Sequence, residues 1–181
     1  MKINPVIPRL AFRYGLAGGV MAIVAFLVFF YLGQQPWRNL ISFLIDILII
    51  GLFSFLTIKD FRSNYNNGEL RFYHGMSLGF ICYTTIAFVF AVFYFVFMQW
   101  IEPDFLSVFI DTAKSDMELR KDMMLLGIEA DPEVYFSEQL ASLEKITKSS
   151  LIFDSFLKKL IFGIFLAPIF SIVLRTRQGE N

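Results

Sequence analysis

The chain is short of nearly everything a soluble catalyst draws on. It has one cysteine, one histidine and two tryptophans, and only 18% of its 181 residues are charged. A lone cysteine, Cys82, makes no intramolecular disulfide and no zinc site by itself. Set in an apolar run, it reads as a small apolar helix residue. The single histidine, His74, has no cysteines or paired acids beside it, so no metal site is expected there. No nucleophile–base pair, HExxH, P-loop or G-x-S-x-G motif is present. The acids between Asp111 and Glu138 lack the fixed spacing of a calcium loop. The net charge is +0, which removes any whole-chain attraction to nucleic acid. The sequence therefore assigns no catalytic residue, no cofactor and no metal, and a non-enzyme is expected.

Apolar residues are what the chain has in excess. It is 56% hydrophobic and 18% aromatic, with 23 phenylalanines and a mean hydropathy of +0.61. Ordinary soluble domains are about 45–50% apolar and about 25% charged. A soluble fold of this length has no core large enough for so many rings, whereas lipid accepts them. Four apolar segments, at about 14–32, 40–58, 75–100 and 151–174, approach the ~20 residues that cross a bilayer core of about 30 Å. Runs such as Ala87 to Phe93 show none of the alternation of a membrane barrel. The first segment exceeds the usual ~7–15 residues of a signal-peptide core and no small-residue cleavage site follows it, so an uncleaved helix is expected. The expected fold is an all-α integral membrane protein forming a single membrane domain over 1–181, with four transmembrane helices. An extracytoplasmic helical hairpin, at about 101–150, is expected between helices three and four.

Orientation follows from the basic residues near the helix ends. Lys2, Arg9, Arg13, Lys59, Arg62, Arg71, Arg175 and Arg177 share one side with only Asp60, Glu69 and Glu180. The 101–159 stretch holds seven basic residues and twelve acids. Both termini are therefore expected in the cytoplasm. In the insertion, a stripe of Leu106, Phe109/Ile110, Ala113, Met117 and Met124 has helical spacing. Gly127 is placed to stop that helix. Asp131-Pro132-Glu133 then supplies an N-cap, a proline at the first helical position and an acid in the first turn. A second stripe runs through Phe136, Leu140, Leu143 and Ile146/Thr147. Glu144 and Lys148 are spaced to pair at i, i+4, and this arm is expected to continue through Ser149 and Ser150 into the fourth span.

Two sets of residues stand out inside the spans. Gly15 and Gly19, then Gly75 and Gly79, are G-x-x-x-G pairs, and Gly163, Ala167 and Ser171 extend the pattern. Such faces let backbones approach closely in lipid. They serve packing within one bundle or, alternatively, homodimerisation. The openings Tyr14-Gly15-Leu16-Ala17-Gly18-Gly19 and His74-Gly75-Met76-Ser77-Leu78-Gly79 also echo one another, through duplication or through shared packing chemistry. Asp46 is the other signal, because a bare carboxylate in a bilayer costs several kcal/mol. Counted from Lys59 at 1.5 Å per residue it stands about 20 Å up its helix, while Lys158 and Lys159 stand about 24–25 Å above Arg175. Similar heights permit an intramembrane charge pair among Asp46, Lys158 and Lys159. A protonated Asp46 with outward-reaching lysines, or an ion- or proton-coupling site, remain as alternatives.

Taken in order, the Tyr-Gly-Leu-Ala-Gly first helix, the run Asn67 to Phe80 entering the third and Ile101-Glu102-Pro103-Asp104-Phe105 leaving it suggest a family. With an acidic insertion and a last helix, the chain over about 10–175 resembles the small bacterial inner-membrane proteins of domain-of-unknown-function family 4199, common in the Bacteroidota. The resemblance implies a bacterial cell membrane and four spans, and supplies neither an activity nor site residues. The expected function is that of a subunit or assembly factor of a cell-envelope complex. It would partner the lipid bilayer and a membrane or envelope protein, or a second copy, with no nucleic acid. A small homo-oligomeric transporter or channel with Asp46 in a polar path is the alternative, and a lipid-active membrane enzyme stands third.

Overall fold

A computed structural model describes residues 5–36, 39–126 and 131–176. Gly127, the expected stop of the first insertion arm, lies outside them, as do Lys2, Arg38, Arg177 and Glu180. The described elements are helical: α1 Val6–Tyr31, α2 Leu40–Asp60, α3 Phe72–Val96, α4 Phe105–Leu119, α5 Lys121–Leu125, α6 Pro132–Glu144 and α7 Lys148–Val173. π-helical turns over Phe61–Tyr65 and Phe97–Ile101 prolong α2 and α3. Four stretches are long and apolar enough to cross a membrane: Val6–Tyr31, Leu40–Tyr65, Phe72–Ile101 and Lys148–Val173. The first begins earlier than the apolar run from Tyr14. Ile7, Leu10 and Ala11 are buried while Arg9 and Arg13 are exposed, so the charges ride the outer face of a helix that has already started.

The chain forms two compact units, Met1–Phe93 with Asp154–Asn181, and Tyr94–Phe153. In the first, α3 receives α1 and α7 at small residues. A β-carbon on Gly15 would stand 2.5 Å from the Thr85 β-carbon, and one on Gly19 would stand 2.7 Å from that of Val89. On the α7 side, Gly75 lies against Ser171, Gly79 against Ala167, and Gly163 against the Tyr83 ring. Lipid supplies no hydrophobic drive between helices, so this close approach gains dispersion instead. The small-residue faces are thus filled within the unit. On α2, Thr57 is buried; its Oγ1 donates to the Phe53 carbonyl at 2.6 Å and lies 3.4 Å from the Cys82 sulfur.

One end of this unit is tied by polar groups. The Tyr14 hydroxyl donates to Asp60 Oδ2 at 3.1 Å and Asn64 Nδ2 to Asp60 Oδ1 at 2.5 Å. Asn67 and Gly68 turn the chain with φ of 52° and 81°, the left-handed region that Asn and Gly tolerate best. Past α7, Thr176 Oγ1 accepts from the Leu70 amide at 2.8 Å and donates to the Gly68 carbonyl at 3.1 Å. Its own amide donates to the Leu70 carbonyl at 3.1 Å.

The second unit contains α4, α5 and α6. Phe105, at the start of α4, is buried edge-on to Tyr94 and Phe97, with ring centroids 5.6 and 5.5 Å away. Asp131 accepts from the Glu133 amide at 3.1 Å and caps α6. Lys114 pairs with Glu144 at 2.7 Å, and Lys121 pairs with Glu133 at 2.8 Å while lying 5.0 Å over the Phe136 ring. The hydrogen bond between them raises the Lys114 pKa and lowers that of Glu144, so the tie is whole at neutral pH. It is lost as acid brings the pH down through the lowered Glu144 value.

Three expectations are corrected here. Glu144 does not pair with Lys148; Lys114 takes it, and Lys148 Nζ donates to the Met98 carbonyl at 2.8 Å. The second arm does not run into the last span. α6 ends at Glu144, and Thr147 opens α7 with a reciprocal cap, accepting from the Ser150 amide at 3.2 Å while Ser150 Oγ accepts from the Thr147 amide at 2.9 Å. This is a capping box with serine in the return position. The first stripe is also divided, because α4 ends before Arg120 and Met124 belongs to α5.

The glycine contacts give a direct test. Gly79→Leu should destabilise the chain by about 1–3 kcal/mol, the cost of overpacking, while Val20→Leu on the exposed face of α1 should change little. Thermal unfolding in detergent, with both proteins at equal concentration, measures the difference.

Candidate functional site

Asn39 starts α2 as its N-cap, accepting from the Ile41 amide at 2.8 Å. Asp46 follows in the second turn, half-buried. Across from it, α7 carries Lys159 on the same line as Gly163, Ala167 and Ser171. All four are buried, and at i, i+4 spacing they share one helix face. Lys159 points inward because it continues the small-residue face.

The structure brings Lys159 and Asp46 together, with Nζ 2.5 Å from Oδ2. The lysine side chain is only 5% exposed and the aspartate 32%. The ammonium also stands 3.9 Å from the centroid of the Phe90 ring, a cation–π distance worth about 2 kcal/mol when desolvated. A carboxylate and an aromatic face thus take the place of water around the charge. Lys158 is not part of this pair. One residue earlier, it is turned about 100° around the helix, is exposed, and pairs with Asp154 at 2.6 Å.

Three hydroxyls deeper in the unit close on their own helices. The hydroxyls of Thr57, Thr85 and Ser171 each donate to the carbonyl one turn back, at 2.6, 2.7 and 2.6 Å. Ser54 stands about 12 Å along α2 from Asp46 at 1.5 Å per residue, and Ile49 and Ile50, both buried, intervene. A surface groove of about 450 Å³ lies along α1 and α2, lined by Leu16, Ala17, Val20, Met21, Val24 and Phe53. It is apolar and Asp46 is not part of it. His74 packs edge-on to Phe61 and Tyr73, at 5.5 and 4.3 Å, and Cys82 is fully buried. Among the described residues no three His, Cys, Asp or Glu side chains gather as a metal site.

Sequence reasoning passed over Phe90, which one ring among 23 could not signal. The choice between Lys158 and Lys159 did have a signal, the 159/163/167/171 periodicity.

The two lysines should behave differently on substitution. Lys159→Met leaves Asp46 without its partner and should cost about 3 kcal/mol, the low end for a broken buried pair because Asp46 keeps some exposure. Lys158→Met removes a surface pair and should cost less than about 1 kcal/mol. Unfolding midpoints of the two variants in the same detergent measure the contrast.

The family model described as "Protein of unknown function (DUF4199)" matches residues 13–176. No curated protein and no solved structure matches the chain.

Proposed function

The chain belongs to this family of unknown function, and from that premise we propose that it is a non-enzymatic subunit or assembly factor of a bacterial envelope complex. The match runs from within the first membrane-length helix to just past the last. In this reading the protein crosses the inner membrane four times with both termini in the cytoplasm. Helices α4 and α6, with α5 between them, then form an extracytoplasmic hairpin that meets the partner.

The observation that carries the reading is how the chain uses its charges. The buried cation is already neutralised, by Asp46 at 2.5 Å and by the Phe90 face. Transport through this site would need that pair opened onto a polar path. Ile49 and Ile50 are buried on the adjoining turn instead, which weighs against the transporter reading. The second unit is different. Its 101–153 stretch is acidic, yet it exposes Leu119 at 80%, Leu126 at 77% and Met123 at 68%. Large apolar groups left open on a charged unit are a feature of binding surfaces.

The test is affinity purification in mild detergent. Replacing residues 106–144 with a short linker should leave the chain in the membrane and remove co-purifying proteins; retention of every partner would sink the docking role. Orientation is read in the same strain set. Cys82 is buried, so Ser137→Cys supplies an accessible thiol, and an impermeant maleimide should label it without permeabilising the inner membrane.

A further inference from the structure

The polar ties described above gather six basic residues of the first unit at one end. Tyr14 bonded to Asp60 sets the beginning of α1 level with the end of α2. Thr176 bonded to Leu70 and Gly68 sets the end of α7 beside the start of α3. Arg9 and Arg13 on α1, Lys59 and Arg62 on α2 and its π turn, Arg71 before α3 and Arg175 after α7 therefore share this end. Among the described residues the acids there are Asp60 and Glu69, and Asp60 already accepts from Tyr14 and Asn64.

Arg9, Arg13, Lys59 and Arg175 are exposed, and among the described residues none has an ion-pair partner. Four cations are thus presented outward on or just beyond the ends of three helices. Two exposed tyrosines, Tyr65 and Tyr73, stand at the same end. Tyrosine is enriched where helices pass from hydrocarbon to headgroups.

We infer that this end of the first unit is a recognition surface for anionic phospholipid, taking the headgroup phosphates of the surrounding leaflet. The inference rests on the membrane-spanning reading of the four long helices. These exposed bases lie on the outer faces of separate helix ends, where a leaflet meets the protein, and not around one closed pocket that would hold a soluble phosphate. Each lysine or arginine near an anionic surface favours contact by about fivefold, and salt weakens the effect within a Debye length of about 10 Å at 0.1 M.

The test uses the purified full-length chain in a neutral detergent. It is given equal amounts of phosphatidylglycerol and phosphatidylcholine with the same acyl chains, and the retained lipid is quantified by native mass spectrometry. Phosphatidylglycerol should be enriched about fivefold or more, and the enrichment should fall as salt is raised. Arg9→Gln/Arg13→Gln and, separately, Lys59→Gln/Arg175→Gln should each cut it about fivefold or more. Both pairs are exposed and, among the described residues, unpaired, so the variants should elute and melt as the parent does. Equal retention of the two lipids, or a parental ratio in both variants, would overturn the inference. Displacement of the lipid by millimolar glycerol phosphate would also overturn it, in favour of a soluble phosphate site. Release of the chain from membranes by alkaline carbonate would instead defeat the spanning reading itself.

Discussion

A lysine ammonium with almost no access to solvent must be neutralised where it stands. Lys159 meets that constraint with one carboxylate and one ring, contributed by α2 and α3 respectively. The three helices that supply Asp46, Phe90 and Lys159 are thereby fixed in register and rotation at one level. Rotating α7 by one residue would put Lys158 in that position and carry Gly163 and Ala167 off α3. The charge pair and the small-residue contacts therefore specify the same arrangement from two sides. The ion pair adds directionality to a set of helices whose other contacts are dispersion between apolar surfaces.

The remainder of the first unit follows from the solvent in which it would sit. Long apolar side chains point outward along α1 and α2, including Val20, Val24, Leu44 and Leu48, where a water-soluble bundle would carry charge. Inside, the hydroxyls of Thr57, Thr85 and Ser171 return to their own helices. The basic ends and exposed tyrosines supply polarity where the helices finish. The second unit adds surface ion pairs, an aspartate cap and a small aromatic cluster around Phe105.

Much of this was legible in the residues, for stated physical reasons. Length and hydropathy mark four helices because a membrane-length apolar run has few other uses. Asp131 announces the start of α6 because an Asx cap before proline is a local signal. Other features escaped because they depend on what lies opposite. Glu144 has a suitable lysine four residues on, but the tertiary partner Lys114 takes it. Thr147 and Ser150 contain the break before α7, yet the apolar pattern on either side reads as one helix. The apolar run marks α1 only from Tyr14 because exposed Arg9 and Arg13 interrupt the hydropathy without interrupting the helix. Phe90 had no signal of its own, since the ring beneath a buried cation is known only once α3 is placed.

The most direct measurement is a double-mutant cycle across the buried pair. Asp46→Asn, Lys159→Gln and the double variant are unfolded in detergent alongside the parent, and the four stabilities are combined. A closed, structural pair requires the double change to cost less than the two single changes together, with an interaction energy of about 2 kcal/mol. Additivity within about 0.5 kcal/mol would mean that Asp46 and Lys159 do not depend on each other, and would contradict the pair as the element that fixes α2 against α7.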